Sequence, residues 1–166
     1  PVIVGLNGTA AGLGAHLTLA ADLVIAAEGV KLIEVFVRRG IIPDAGGPYL
    51  LTKAVGPHKA KELAFFGDDL LAEDAAALGI VNRVVPADEL MPQVLERARV
   101  IASKAPLSVR ALKTVVRGGA SLPLDQAMDK VYTVRSADAE DRFLGSAFLW
   151  EDGTVAVTNA HVVGNA

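Results

Sequence analysis

Near the start of the chain, Gly8-Thr9-Ala10-Ala11-Gly12-Leu13-Gly14 is a glycine-rich segment between an apolar run and a helix-favouring one. Glycines at such a junction let backbone N–H groups point at an anion, with the dipole of the following helix in support. Two phosphate patterns are excluded. Leu17 stands where a dinucleotide fingerprint needs its third glycine, and no Gly-Lys-Ser/Thr follows the loop. The same glycines also suit a simpler role, close packing of a buried helix on a strand. A second segment, Ile42-Pro43-Asp44-Ala45-Gly46-Gly47, sets one carboxylate in a turn ahead of a helix. Turn chemistry alone selects Asp there. His16 follows the first loop, and Glu34 precedes the second with Arg38 at the i+4 spacing of a helical ion pair. With three histidines and no cysteine, the chain has no thiolate zinc site, disulfide or cysteine nucleophile, and no metal site is expected.

The composition bounds the scaffold. A length of 166 residues, 52 % of them hydrophobic and 21 % charged, fits one folded domain rather than disorder. Sixteen Lys and Arg against 19 Asp and Glu give a net charge of -3, and aromatics are only 5 %. Neither the basic excess nor the stacking surface of a nucleic-acid binder is present, so no nucleic-acid partner is expected. Residues 1–21 carry no Asp, Glu, Lys or Arg. Gly5, Asn7, Gly8, Thr9, Gly12, Gly14, His16 and Thr18 nevertheless interrupt that stretch, and no basic residue precedes it. A buried strand, a glycine-rich turn and a buried helix explain it better than a membrane span.

The elements follow from hydrophobic periodicity and breaker residues. Strands are expected at Val2–Leu6, Leu23–Ala27, Val30–Ile33 and, as an edge, Val81–Val85. Helices are expected at Ala15–Ala21, apolar almost all round, then at Pro48–Val55, Pro57–Phe66 and Leu71–Leu78. Further helices are expected over Ala87–Lys104, Pro106–Val116, Leu122–Val134 and Ala139–Trp150. After a hairpin-type turn at Asp152-Gly153, Val155–Thr158 is strand-like. The chain opens with Pro1 directly in an apolar strand, which suggests an excised fragment or sequence missing upstream.

Taken in order, these segments resemble the crotonase (enoyl-CoA hydratase/isomerase) superfamily over about residues 1–149. The resemblance runs from Asn7-Gly8 and Gly12-Leu13-Gly14 through Leu19-Ala20-Ala21-Asp22-Leu23-Val24-Ile25-Ala26. It continues in Glu34-Val35-Phe36-Val37-Arg38-Arg39-Gly40, Pro43-Asp44-Ala45-Gly46-Gly47, Gly67-Asp68 and Ala72-Glu73-Asp74-Ala75. It ends in Gly79-Ile80-Val81-Asn82-Arg83-Val84-Val85-Pro86, Ala105-Pro106-Leu107 and Ser136-Ala137-Asp138. It implies an α/β fold with a ββα-spiral core, lacking its N-terminal half, and a helical C-terminal region. Residues 1–86 would be the partial core, 87–150 the helical region of the same domain, and 151–166 an atypical tail.

The resemblance also implies an acyl-CoA thioester substrate, with coenzyme A as part of the substrate and no separate cofactor. Enolate charge would be stabilised by two backbone N–H groups. One matches Leu13, between Gly12 and Gly14; the other belongs to the N-terminal half that this chain lacks. The two glutamates with which hydratases of the family handle water fall on His16 and Phe36, neither a carboxylate. Asp44 matches the acidic position that isomerases of the family use to move a proton, so isomerisation is expected over hydration. Gly12, Gly14, Phe36 and Ile41 would line the substrate, with Phe36 and Ile41 forming an apolar pocket around Asp44. His16 would assist weakly or act only as a satisfied helix residue. The alternative is an inactive acyl-CoA-binding or subunit-interaction protein. A homotrimer or hexamer is expected, with the apolar stripes Leu90–Ile101 and Leu107–Val116 available for contacts. A cytoplasmic location is expected. Thr158-Asn159-Ala160-His161-Val162-Val163 resembles the histidine segment of trypsin-like serine proteases of the high-temperature-requirement type. No downstream aspartate or Gly-x-Ser-Gly accompanies it, so His161 is read as noncatalytic.

Overall fold

In the computed structural model, which describes residues 1–119, 131–135, 143–150 and 155–157, the chain forms two compact units, Pro1–Arg99 and Val100–Ala166. In the first unit the two β-branched runs become β1 (Ile3–Leu6) and β3 (Leu23–Ala27), with β2 (Ala10–Ala11) and α1 (Leu13–Ala20) between them. β3 is the central strand. It pairs parallel with β1 through Val4↔Val24 and with β6 (Arg83–Val85) through Ala26↔Val84, leaving β6 at the expected edge.

The faces of β3 explain its wholly apolar sequence. Val24 and Ala26 enter one cluster with Leu6, Leu32, Leu51 and Ala60. Ile25 and Ala27 enter another, against Leu90 and Val94 of α4 (Leu90–Ala102). A parallel strand covered on both sides cannot alternate with polar residues. Helix α4 lies so close to β1 that a Cβ on Gly5 would sit 3.1 Å from Val94 Cγ2.

A second sheet holds the site from below. β4 (Lys31–Ile33) pairs parallel with β2 and antiparallel with β5 (Asp69–Leu71), which leads into α3 (Ala72–Ala77). Between β4 and β5 run the 3₁₀ helix Val35–Arg39 and α2 (Gly47–Phe66). Gly56, at φ 76° and ψ 167°, breaks α2, and Pro57 follows it. The two helices expected on either side of Gly56 are thus both present, joined by a kink.

Three expectations are corrected. α1 is not buried all round: Ala15, His16 and Thr18 face inward, whereas Leu13 is 54 % and Leu17 63 % exposed. An eight-residue helix packed on β2 and α2 has one free face, and this sequence puts no polar residue there. Strand β5 is an addition to the expected elements, because three residues carry too little alternation to announce a strand. In the second unit, α5 (Pro106–Gly119) matches the expected helix, but where the later expected helices are described, over 131–134 and 143–150, the chain is strand. Val131–Arg135 forms β7, and Phe143–Trp150 forms β8, paired antiparallel with each other. Val131-Tyr132-Thr133-Val134 is rich in β-branched and aromatic residues, and Gly145 weakens a helix over 139–150. β9 (Val155–Val157) completes that sheet where a strand was expected, pairing with β8. Asp152-Gly153, Ser136-Ala137-Asp138 and His161 lie outside the described residues.

Candidate functional site

The glycine-rich loop turns into α1 at Gly12, whose φ of 55° is left-handed backbone that favours glycine. Its N–H donates to Ile33 C=O at 3.0 Å, which fastens the loop to β4, and its C=O accepts the His16 N–H at 3.1 Å. Leu13 is therefore the first residue of the helix. Its N–H has no backbone acceptor among the described residues, as helix geometry requires of the first turn. That leaves a donor available to an anion, supported by the helix dipole. The exposed Leu13 side chain plays no part in it. Gly14 continues the turn, and Thr18 Oγ1 donates back to its C=O at 3.0 Å.

His16 sits one turn further on and is 2 % exposed. Its Nε2 lies 3.1 Å from Glu34 Oε2, and Glu34 is itself 7 % exposed. An ionised carboxylate only accepts, so in this bond Nε2 is the donor. Nδ1 is buried and has no hydrogen-bond partner among the described residues. The imidazole stacks on Phe36, with centroids 5.1 Å apart and planes 10° apart. The two positions matched to the hydratase glutamates are thus neighbours in space, occupied by a histidine–phenylalanine stack. The expected Glu34–Arg38 ion pair is not formed. Val35–Arg39 is a 3₁₀ helix, in which residues three apart align rather than four apart. Glu34 turns to His16, and Arg38 Nη2 donates to Asp69 Oδ1 at 3.0 Å.

Asp44 lies in the exposed turn that opens α2, and its C=O accepts the Gly47 N–H at 2.9 Å. The next residue, Ala45, has φ 47°, which alone among the described non-glycine residues is left-handed. Such backbone costs an L-residue about 1–2 kcal/mol, so the surrounding structure holds this turn in a strained shape. Ile41 N–H donates to Phe36 C=O at 3.3 Å, but the Ile41 side chain is 58 % exposed while Phe36 is buried. The expected closed apolar pocket around Asp44 is not formed among the described residues. Sequence reasoning names Glu34 and Gly47 but misses that both meet His16. Glu34 holds His16, which its spacing to Arg38 conceals. Gly47 is buried where a Cβ would fall on the His16 ring; the doubled glycine after Asp44 is the available signal.

Away from the stack, Lys31 Nζ and Arg38 Nη2 converge on Asp69, at 2.9 and 3.0 Å. The hydrogen bond from Lys31, then that from Arg38, holds the Asp69 carboxyl below the usual range. The Gly29 N–H, 3.0 Å from Glu73 Oε1, lowers that carboxyl likewise. Among the described residues no group of three or more His, Asp and Glu is placed to hold a metal ion.

Comparison with known proteins places this arrangement. The sequence pattern of the enoyl-CoA hydratase/isomerase family matches residues 1–140. Carnitinyl-CoA dehydratase of Salmonella paratyphi A is 39 % identical over 126 residues, 76 % of this chain and 48 % of that protein. Among solved structures, enoyl-CoA hydratase subunit I of Geobacillus kaustophilus superposes with a TM-score of 0.76 at 38 % identity, over 77 % of this chain and 50 % of the other. The enoyl-CoA hydratase of Bacillus anthracis gives 0.75, also at 38 % identity, over 77 % and 50 %. The chain spans about half the length of these relatives. With the loop, the turn and the sheets that carry them all in the matched region, the chain belongs to the enoyl-CoA hydratase/isomerase family.

Proposed function

We propose that the whole protein binds an acyl-CoA thioester and moves a double bond along its acyl chain, in preference to adding water. The Leu13 N–H donates to the thioester oxygen as enolate charge develops, a contribution of about 3 kcal/mol per donor in such sites. Asp44 takes a proton from one carbon and returns it to another. Gly12 and Gly14 let the substrate approach the backbone, while the exposed Ile41 offers apolar surface to the acyl chain. Coenzyme A enters as part of the substrate, and no further cofactor is invoked.

One observation carries this reading. The positions of the two hydratase glutamates hold a buried His16–Phe36 stack, and Glu34 is engaged by His16. Asp44, whose C=O accepts from the Gly47 packed on His16, is exposed and has no side-chain partner among the described residues. Isomerisation needs one such group, whereas hydration as the family performs it needs two. By its name the Salmonella relative removes water from a CoA thioester, which supports the substrate class and supplies a second reaction to assay.

Asp44→Asn keeps size and hydrogen bonding but removes the base. Isomerase turnover of the whole protein should fall by roughly 10², with acyl-CoA affinity retained in calorimetry. Full turnover in that variant would reduce Asp44 to a turn residue. Binding without turnover in the unaltered protein would support the second reading, an acyl-CoA-binding or subunit-interaction protein.

Assembly belongs to the same proposal. Leu112 and Val116, one turn apart on α5, are each 63 % exposed, an apolar pair suited to contact with another copy. α4 is less available, because Leu90 and Val94 are spent on β3. A trimer or hexamer is expected in light scattering at micromolar concentration; a monomer would count against it.

A further inference from the structure

Building on the isomerase reading, we propose that the Glu34–His16 pair is a positioning device for Asp44, setting the proton shuttle relative to the Leu13 donor. The contacts form one continuous path. A Cβ on Gly12, next to Leu13, would lie 3.5 Å from Phe36 Cζ, so the Phe36 ring rests against the start of α1. The other end of the path begins with the His16 imidazole, stacked on that ring at 5.1 Å. Gly47 packs its bare Cα on the imidazole, where no side chain fits. Through its N–H, Gly47 is bonded to Asp44 C=O at 2.9 Å, across the strained Ala45.

Glu34 makes this path rigid. An imidazole stacked on one ring is free to slide or turn in its plane, and the 3.1 Å bond from Nε2 to the Glu34 carboxylate removes that freedom. Both partners are buried, so water does not compete for the bond. His16 is itself closed off from solvent and is linked to Asp44 through Gly47. It acts on the reaction through geometry, and a displacement near 1 Å can cost a reaction as much as about 10² in rate.

The test separates this role from plain stability and from the isomerase reading. In the whole protein, Glu34→Ala frees the imidazole, while Glu34→Gln keeps an oxygen that accepts from Nε2. Hydrogen exchange by mass spectrometry reads the turn directly. Glu34→Ala should speed exchange at residues 45–50 about tenfold or more and leave β3 unchanged, and Glu34→Gln should restore protection. In the isomerase assay, Glu34→Ala should lower kcat about tenfold with KM within twofold, and Glu34→Gln should recover it to within about threefold. Should Glu34→Ala fail to fold, Phe36→Leu removes the stacking face at similar volume and should loosen the same residues. Unchanged exchange at 45–50 in the folded variants overturns the proposal, as does unchanged kcat where Asp44→Asn is impaired. Absence of turnover in the unaltered protein counts against the isomerase reading instead, and the exchange result then decides the positioning role alone.

Discussion

A few atoms decide what the site can do. At position 16 an imidazole, and at position 36 a phenyl ring, stand where the resemblance aligns proton-transferring carboxylates, and the structure stacks them face to face. Their identities are legible in the sequence; their mutual contact is not, because 20 residues separate them and neither type demands the other. The partner of Glu34 is hidden for a related reason. The i+4 rule that pairs it with Arg38 holds for an α-helix, and the segment is 3₁₀. Gly47 offers the sharpest test at this scale. Its missing Cβ is replaced by the His16 ring, which Phe36 and Glu34 prevent from moving aside. Gly47→Ala should therefore destabilise the fold by about 1–3 kcal/mol, measured by denaturant unfolding. A change within a few tenths of a kcal/mol would mean that the ring has room to retreat.

At the scale of elements, the sequence announces what repeats over many residues and misses what does not. The apolar run of β3, the glycine and proline at the α2 kink, and the stripe of α4 are all plain in the order of residues alone. β5 is too short to show, and β7 and β8 read as helices because apolar runs of that length fit either period. The β4–β5 pair has its own electrostatic tie, since Asp69 sits diagonally across from Lys31 and also accepts from Arg38. The folded Asp69 carboxyl is held below its ordinary range by those bonds. Stabilisation from it is fully present above the unfolded aspartate pKa, near 4, and is lost as pH falls through the lower folded value. Asp69→Asn should thus melt below the unaltered protein at pH 7, by a small margin that salt narrows, because the group is exposed. The gap should close in acid, as the pH falls through that lower folded value. A gap of equal size at neutral pH and in acid would contradict the assignment.

For the whole molecule, the family and the α/β class are legible from ordered motifs, each weak alone and specific together. The chain accounts for about half the length of its relatives, and within that half lie the proposed oxyanion donor, the proposed shuttle carboxylate and the stack beside them. On the proposed reading those groups serve proton transfer from carbon to carbon at an enolate, and they include one carboxylate where hydration as the family performs it uses two. The most direct measurement sets the two reactions side by side in the whole protein, following loss of enoyl-thioester absorbance with crotonyl-CoA against double-bond migration in a longer enoyl-CoA. Migration should proceed with Asp44 in place while hydration is very slow or absent. Crotonyl-CoA hydration at an ordinary enzymatic rate, about 10 s⁻¹ or more, would contradict the account and show that water is handled without the two glutamates.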